Sequence, residues 1–168
     1  MLRLFSKTLK TGVVTERINK PSHNELEQLG IIIKCHIDKE FSGSLAIRAV
    51  DAGSCNGCEL EIHALNNPFY DVERFGIHFV ASPRHADVLL VTGPVSRHMQ
   101  TALLRTYAAT ANPKWVVAVG DCAVCGGEFG SSYASCGAVE NVIPVDMTIS
   151  GCPPTPEALI KALLGFMK

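Results

Sequence analysis

At 168 residues, with a net charge of −1 and 18% charged against 47% hydrophobic residues, the chain has the length of one domain, which at this size buries about two thirds of its unfolded surface. The near-neutral balance leaves no electrostatic footprint for a phosphate backbone, which excludes a nucleic-acid partner. A mean hydropathy of +0.20 is high for a solvated monomer, so part of the apolar surface is expected to face partner chains.

No apolar run approaches the roughly 18 residues that cross a bilayer. The longest, residues 88–91 and 115–119, are strand-sized. Residues 1–10 mix basic and apolar side chains but have neither the apolar core nor the twin-arginine pair of an export signal. The expected compartment is the cytoplasm. Seven cysteines in a reducing compartment argue for metal ligation or redox chemistry over structural disulfides.

Residues 1–44 read as an N-terminal arm ahead of a domain over residues 45–168. Helical spacing of Leu2, Phe5 and Leu9 makes one apolar face, and the basic residues suit docking on a partner subunit or a membrane surface. Residues 29–33, Leu-Gly-Ile-Ile-Ile, form a short apolar stretch within the arm. Residues 45–52 alternate as a strand and run into Gly53-Ser54-Cys55, a tight loop. Residues 59–65 have helical composition, halted by Asn66-Asn67-Pro68. The first Cys-x-x-Cys, Cys55 and Cys58, therefore lies on a strand-to-helix turn.

Strands are predicted over 75–81 and 87–92, separated by Ser82-Pro83-Arg84-His85-Ala86. Gly93-Pro94 ends the second, and 97–109 reads as a helix with Met99, Leu103, Leu104 and Tyr107 on one side. After Asn112-Pro113, residues 115–119 are an apolar strand followed directly by Gly120-Asp121-Cys122. Residues 141–146 lead towards Gly151-Cys152-Pro153-Pro154. Thr155-Pro156-Glu157 then starts a last helix over 158–167, with a cap and an N1 proline in order. Strands alternating with helices, and apolar throughout where both faces are covered, imply an α/β fold: a single flavodoxin-like open parallel sheet with flanking helices.

In such a sheet ligands bind beyond the carboxyl ends of the strands. Cys55 and Cys58, Cys122, and Cys152 lie in loops that leave such ends, and each loop carries glycine beside its cysteine. A thiolate-bound cluster needs backbone N–H groups nearby, and glycine permits that approach. Zinc accepts four thiolates equally well, and paired thiols also serve redox exchange. Structural zinc sites of four cysteines usually come as two short knuckles, whereas these ligands are dispersed. Iron–sulfur is the favoured reading, with a zinc-stabilised interaction domain as an alternative.

The residues also carry a resemblance. Cys-Asn-Gly-Cys-Glu-Leu-Glu-Ile at 55–62, Glu73-Arg74-Phe75-Gly76, Ser-Pro-Arg-His-Ala-Asp at 82–87, Val91-Thr92-Gly93-Pro94-Val95, Ile143-Pro144-Val145-Asp146 and Gly-Cys-Pro-Pro-Thr-Pro at 151–156 occur in order from about residue 45 to the C-terminus. They resemble the small subunit of membrane-bound group 4 nickel–iron hydrogenases, the formate hydrogenlyase and hydrogenase-4 type. That family is similar in turn to the cluster-bearing B subunit of respiratory complex I. The resemblance implies one [4Fe–4S] cluster, nearest the catalytic large subunit, held by Cys55, Cys58, Cys122 and Cys152. It implies electron transfer within an oxidoreductase complex on the inner face of the cell membrane. The implied partners are the large subunit, other iron–sulfur subunits and membrane subunits. The adjacent-cysteine pair of complex I is absent, and Cys-x-x-Cys is the hydrogenase form. The same module in a complex I-like quinone oxidoreductase lacking nickel–iron is the alternative within this resemblance.

Cys125 makes a second Cys-x-x-Cys with Cys122 where that family commonly has another residue. It is a substitute ligand, a tuner of the cluster or a small buried hydrophobe, and the last is the expectation. Cys136 and Cys35 match no ligand position and are expected to be structural or incidental. Glu59 and Glu61 fall on different helix faces and are expected as solvated or interface carboxylates, Glu59 being also a candidate to tune the cluster. Asp121, beside Cys122, either lowers the cluster potential or accepts an N–H bond. Arg84 and His85 are candidates on the cluster edge, where a cation stabilises a reduced cluster, against a plainer surface role. No nucleophile–base pair, carboxylate dyad or phosphate-binding glycine motif completes a substrate site in this chain.

Overall fold

The structure, a computed structural model, describes residues 23–166 together with Lys7, Lys10 and Thr11. Leu2, Phe5 and Leu9, and the apolar face expected of them, lie outside the described residues.

Strands β1 (Leu45–Asp51), β2 (Ile77–Phe79), β3 (Val88–Thr92), β4 (Trp115–Val119) and β5 (Met147–Ile149) form one parallel sheet in the order β2-β1-β3-β4-β5. Parallel strands buried on both faces read as unbroken apolar runs, and every residue of β3 is buried. Alternation sends Val88, Leu90, Val117 and Val119 to one face and Leu89, Val91, Val116 and Ala118 to the other. Helices α1 (His23–Glu40), α2 (Gly57–Ala64) and α5 (Pro156–Phe166) cover the first face through Ile33, Ile37, Ile62, Leu159 and Leu163. Helices α3 (Arg97–Ala109) and α4 (Asp121–Cys125) cover the second through Leu103 and Ala123, joined by Val139 and Ile143. This is the expected flavodoxin-like arrangement.

The segment read as an arm departs from expectation. Residues 29–33 belong to an 18-residue helix, and the core takes Ile33 and Ile37 while Ile31 and Ile32 stand exposed. The helical period of Leu26, Leu29, Ile33 and Ile37 decides which side packs. Gly30 lets the Phe75 ring lie directly against this helix. In α3, Leu103 is fully buried but Leu104 is exposed, so the apolar side is narrower than expected. Strand β2 is shortened because residues 72–75 form a 3-10 turn that ends at Gly76 with φ +89°. At the start of α5, the Ala158 N–H donates to Thr155 Oγ1 at 3.3 Å, the cap expected ahead of Pro156.

Because β1 sits between β2 and β3, chain connections run in opposite directions from it, and a crevice opens at that switch point beyond the carboxyl ends. Asp51, Thr92, Val119 and Ile149 mark that edge.

Candidate functional site

The loops leaving β1, β4 and β5 carry Cys55 and Cys58, Cys122, and Cys152 to the carboxyl edge. The first is shaped by Asp51, whose Oδ1 accepts hydrogen bonds from the Gly53 and Ser54 N–H groups, both at 2.8 Å. Such a carboxylate mimics a backbone turn and reverses the chain. Ser54 Oγ accepts from the Asn56 N–H at 3.0 Å, and Asn56 turns left-handed with φ 72° before α2 begins. Cys58 therefore lies in the first turn of α2, with Cys55 just ahead of it.

The second and third loops are tied together. The Asp121 N–H donates to the Gly151 carbonyl at 3.0 Å, and the Gly151 N–H donates to Asp121 Oδ1 at 2.8 Å. Of the two roles expected for Asp121, accepting an N–H bond is the one the geometry contains. Gly120 has φ +86°, and a Cβ there would come within 2.5 Å of Cys58 Sγ. Only glycine allows that approach in that conformation. Cys122 Sγ lies against Gly127, while Gly57 brings Cys55 Sγ and the Pro153 ring into one neighbourhood. The first and third loops thus meet.

The thiols interact electrostatically. Burial, then the neighbouring charges of Glu59, Cys55, Cys122 and Cys152, push the Cys58 thiol up to about 11. Burial also raises Cys122, followed by Cys152, Cys55, Asp121 and Cys125. The raised thiols of Cys58 and Cys122, with Cys55 and Cys152 beside them, are a donor set a cationic metal group would relieve, since ligation removes their protons. Among the described residues, no group of three or more His, Cys, Asp or Glu is drawn together enough to hold a single metal ion.

Other residues singled out in the sequence are placed differently. Glu59 is not a solvated carboxylate: one oxygen accepts a hydrogen bond from Thr92 Oγ1, and Oε2 is shielded from solvent without a partner. Helix α2 turns it inward onto the end of β3. With Arg48, whose Nε is likewise shielded and unpartnered, it lines a cavity of about 420 Å³ walled by Ile62, Phe79 and Val80. Glu61 is half-buried on another side of α2.

Arg84 and His85 are not on the cysteine edge. They share a cleft with Ser42, Ser44, Asn112 and Pro113, all of which precede strands, so the connection from β2 to β3 carries them to the amino-terminal edge. A tuning role beside the cysteines is excluded by that placement. Cys125 is not a buried hydrophobe: it is exposed, and its thiol donates to the Asp121 carbonyl at 3.2 Å. Cys136 is half-buried against Val139 and Ile143, and Cys35 is exposed on α1. Neither is among the groups acting on Cys58 or Cys122. Sequence reasoning passed over Asp51, Arg48 and Thr92. An aspartate two residues before glycine is a recognisable turn signal, whereas nothing in the sequence marks Arg48 and Thr92 as neighbours of Glu59.

Residues 55–166, which contain all four convergent cysteines, match the family of the NADH ubiquinone oxidoreductase 20 Kd subunit. The chain belongs to this family. Within the 20 Kd family it is 45% identical over 134 residues to formate hydrogenlyase subunit 7 of Escherichia coli (strain K12), an alignment covering 80% of this chain and 51% of that protein. The chain thus spans about half of that relative's length. It is 46% identical over 115 residues to the probable membrane-bound hydrogenase subunit mbhJ of Pyrococcus furiosus, covering 68% of this chain and 69% of that one. Among solved structures, a chain of the membrane-bound sulfane sulfur reductase, an archaeal respiratory membrane complex, aligns with a TM-score of 0.66 and 34% identity over 81% of this chain and 73% of that chain. The 20 Kd family is one of oxidoreductase subunits, as the sequence resemblance implied. No helix among the described residues is long and apolar enough to cross a membrane.

Proposed function

We propose that this chain is the electron-transfer subunit of a membrane-bound nickel–iron hydrogenase complex, carrying the [4Fe–4S] cluster proximal to the catalytic large subunit. Cys55, Cys58, Cys122 and Cys152 hold the cluster. The observation that carries the reading is the convergence of three sequence-distant loops, whose four thiols each perturb Cys58 or are perturbed with it.

Structural zinc sites of four cysteines usually come as two short knuckles, whereas these four thiols come from three loops far apart in the sequence, which favours a cluster. When bound, it supplies a one-electron carrier whose potential follows from hydrogen bonding, burial and nearby charge. The chain contributes the half-buried Cys58 and Cys122, the Asp121–Gly151 clasp that fixes two loops, and the carboxylate of Asp121 beside Cys122.

Leu60, Phe129 and Tyr133 stand exposed on segments around the cysteine loops. Large apolar side chains there suit burial against the large subunit and other iron–sulfur subunits. The formate hydrogenlyase and membrane-bound hydrogenase names of two relatives and the Cys-x-x-Cys spacing support nickel–iron in the partner. In this reading the chain sits peripherally on the cytoplasmic face of the membrane, held by the membrane subunits of its complex.

The cavity beside Glu59 favours one second reading. Its apolar wall, with Arg48 and Glu59 both lining it, suits a complex I-like assembly in which this edge serves a quinone. The partner's sequence separates the two, because a hydrogenase large subunit carries two cysteine pairs for nickel–iron; their absence removes the hydrogenase reading. Anaerobic purification with iron, labile sulfide and zinc assays tests the cluster itself. About four irons per chain with a reducible chromophore are expected, and one zinc with no colour overturns the proposal.

A further inference from the structure

The third corner of the cysteine site holds two thiols rather than one. Cys122 and Cys125 lie on α4, where the Gly126 N–H closes the last turn on the Cys122 carbonyl at 3.0 Å. Residues three apart on one turn share a face, and their Cα atoms are separated by about 5–6 Å, inside the range a disulfide spans. Side chains on a helix lean towards its N-terminus. Cys125 does so here, its thiol reaching the Asp121 carbonyl at 3.2 Å, which brings it back over the turn that bears Cys122. Cys125 is exposed and Cys122 half-buried, the arrangement of an attacking thiol with a resolving partner.

The first Cys-x-x-Cys is built differently. Left-handed Asn56 separates its members, and Cys58 Sγ lies in under Gly120. Of the two thiols on this turn, Cys125 is the one open to solvent.

We propose that Cys122 and Cys125 are a thiol–disulfide pair which, in the chain before cluster loading, closes this corner of the site against iron. The Cys125 thiolate attacks a low-molecular-mass disulfide of the glutathione type and releases one thiolate. The Cys122 sulfur then displaces the second from the mixed disulfide. The two cysteines together give up two protons and two electrons, and the small disulfide is reduced to two thiols. A reductant reverses the exchange and returns Cys122 to the site. The gating rests on the proposed ligand role of Cys122; the cross-link does not.

The test uses the cluster-free full chain, treated anaerobically with glutathione disulfide, alkylated and peptide-mapped, and then offered iron and sulfide before and after phosphine reduction. The expected result is a Cys122–Cys125 cross-link, loss of iron uptake by the oxidised chain, recovery on reduction, and no such loss in Cys125→Ser. A cross-link confined to Cys55 and Cys58, no cross-link at all, or equal iron uptake by oxidised and reduced chains overturns the proposal. Cys122→Ala, loaded without oxidant, reports on the ligand role separately. Full loading there removes both the ligand assignment and the gate, whereas failure to load beside an absent wild-type cross-link leaves the assignment standing and removes the gate alone.

Discussion

Asp121 and Gly151 exchange two hydrogen bonds, the Gly151 N–H donating to Asp121 Oδ1 at 2.8 Å and the Asp121 N–H donating to the Gly151 carbonyl at 3.0 Å. Cys122 and Cys152 directly follow these two residues, so the clasp sets the separation of two proposed ligands. Asp121→Ala removes the side-chain half and leaves the Gly151 N–H without its acceptor, a cost of about 1–3 kcal/mol for a partly buried group. The expected outcome is a lower urea midpoint and reduced iron per chain after anaerobic purification. Asp121→Asn keeps an acceptor oxygen and is expected to retain most of both.

Gly120→Ala places a methyl group 2.5 Å from Cys58 Sγ and forces a non-glycine residue to φ +86°. Backbone strain of this kind costs about 1–3 kcal/mol. The sulfur has to move as well, so iron content is expected to fall more steeply than stability does. Iron assay and denaturant titration on the same preparation separate the two effects.

The cysteines themselves are expected to divide cleanly. Cys58→Ala and Cys152→Ala lose the cluster and assembly with the large subunit. Cys136→Ala keeps both, since its half-buried side chain only packs against Val139 and Ile143. Iron and sulfide per chain, with co-purification of the large subunit, measure the difference. Full clusters in Cys58→Ala contradict the ligand set.

The free thiols give the cluster-free chain a pH dependence of definite sign. Cys58 titrates at about 11 in the fold against 9.0 for the ordinary thiol, so the folded state holds this proton more tightly than the unfolded chain. Below pH 9.0 both states are protonated and stability is unaffected. As pH rises from there to about 11 the unfolded chain ionises first, and stability falls. Cys122, raised in the same direction, adds to the fall. Thermal melts across this interval are expected to shift downwards, less so in Cys58→Ala.

Ile37→Ala tests whether α1 belongs to the core. Ile37 is fully buried with strand and α5 residues around it, so its truncation is expected to cost about 2–5 kcal/mol. A surface arm would tolerate the change within about 0.5 kcal/mol. Chemical denaturation of the full chain distinguishes the two.

What was legible in the sequence follows from the same packing. Unbroken apolar runs at 88–92 and 115–119 belong to strands buried on both faces, and such strands have no other plausible home. Glycine and cysteine at their ends pointed to the carboxyl edge, where the loops carrying the four thiols do lie. Helix α1 was harder to see because its apolar period is interrupted by Gly30 and overlaid by exposed Ile31 and Ile32, which drew attention to a run instead of a face. Arg84 and His85 were misplaced because a loop after a strand does not reveal which edge it reaches. With β1 lying between β2 and β3, the connection has to descend to the opposite edge before β3 begins. Glu59 turned inward because Thr92, distant in sequence, offers its hydroxyl, a pairing that only the sheet register creates.

Strand β5, three residues long at the rim of the sheet, has a consequence for biosynthesis. Cys55 follows the first strand to be synthesised and Cys152 the last, so a nascent chain that has emerged only through α4 holds three of the four proposed ligands. On the proposed ligand set, the site is complete only once the C-terminal strand has docked. A cluster seated there would then act as a rivet against unzipping from that rim.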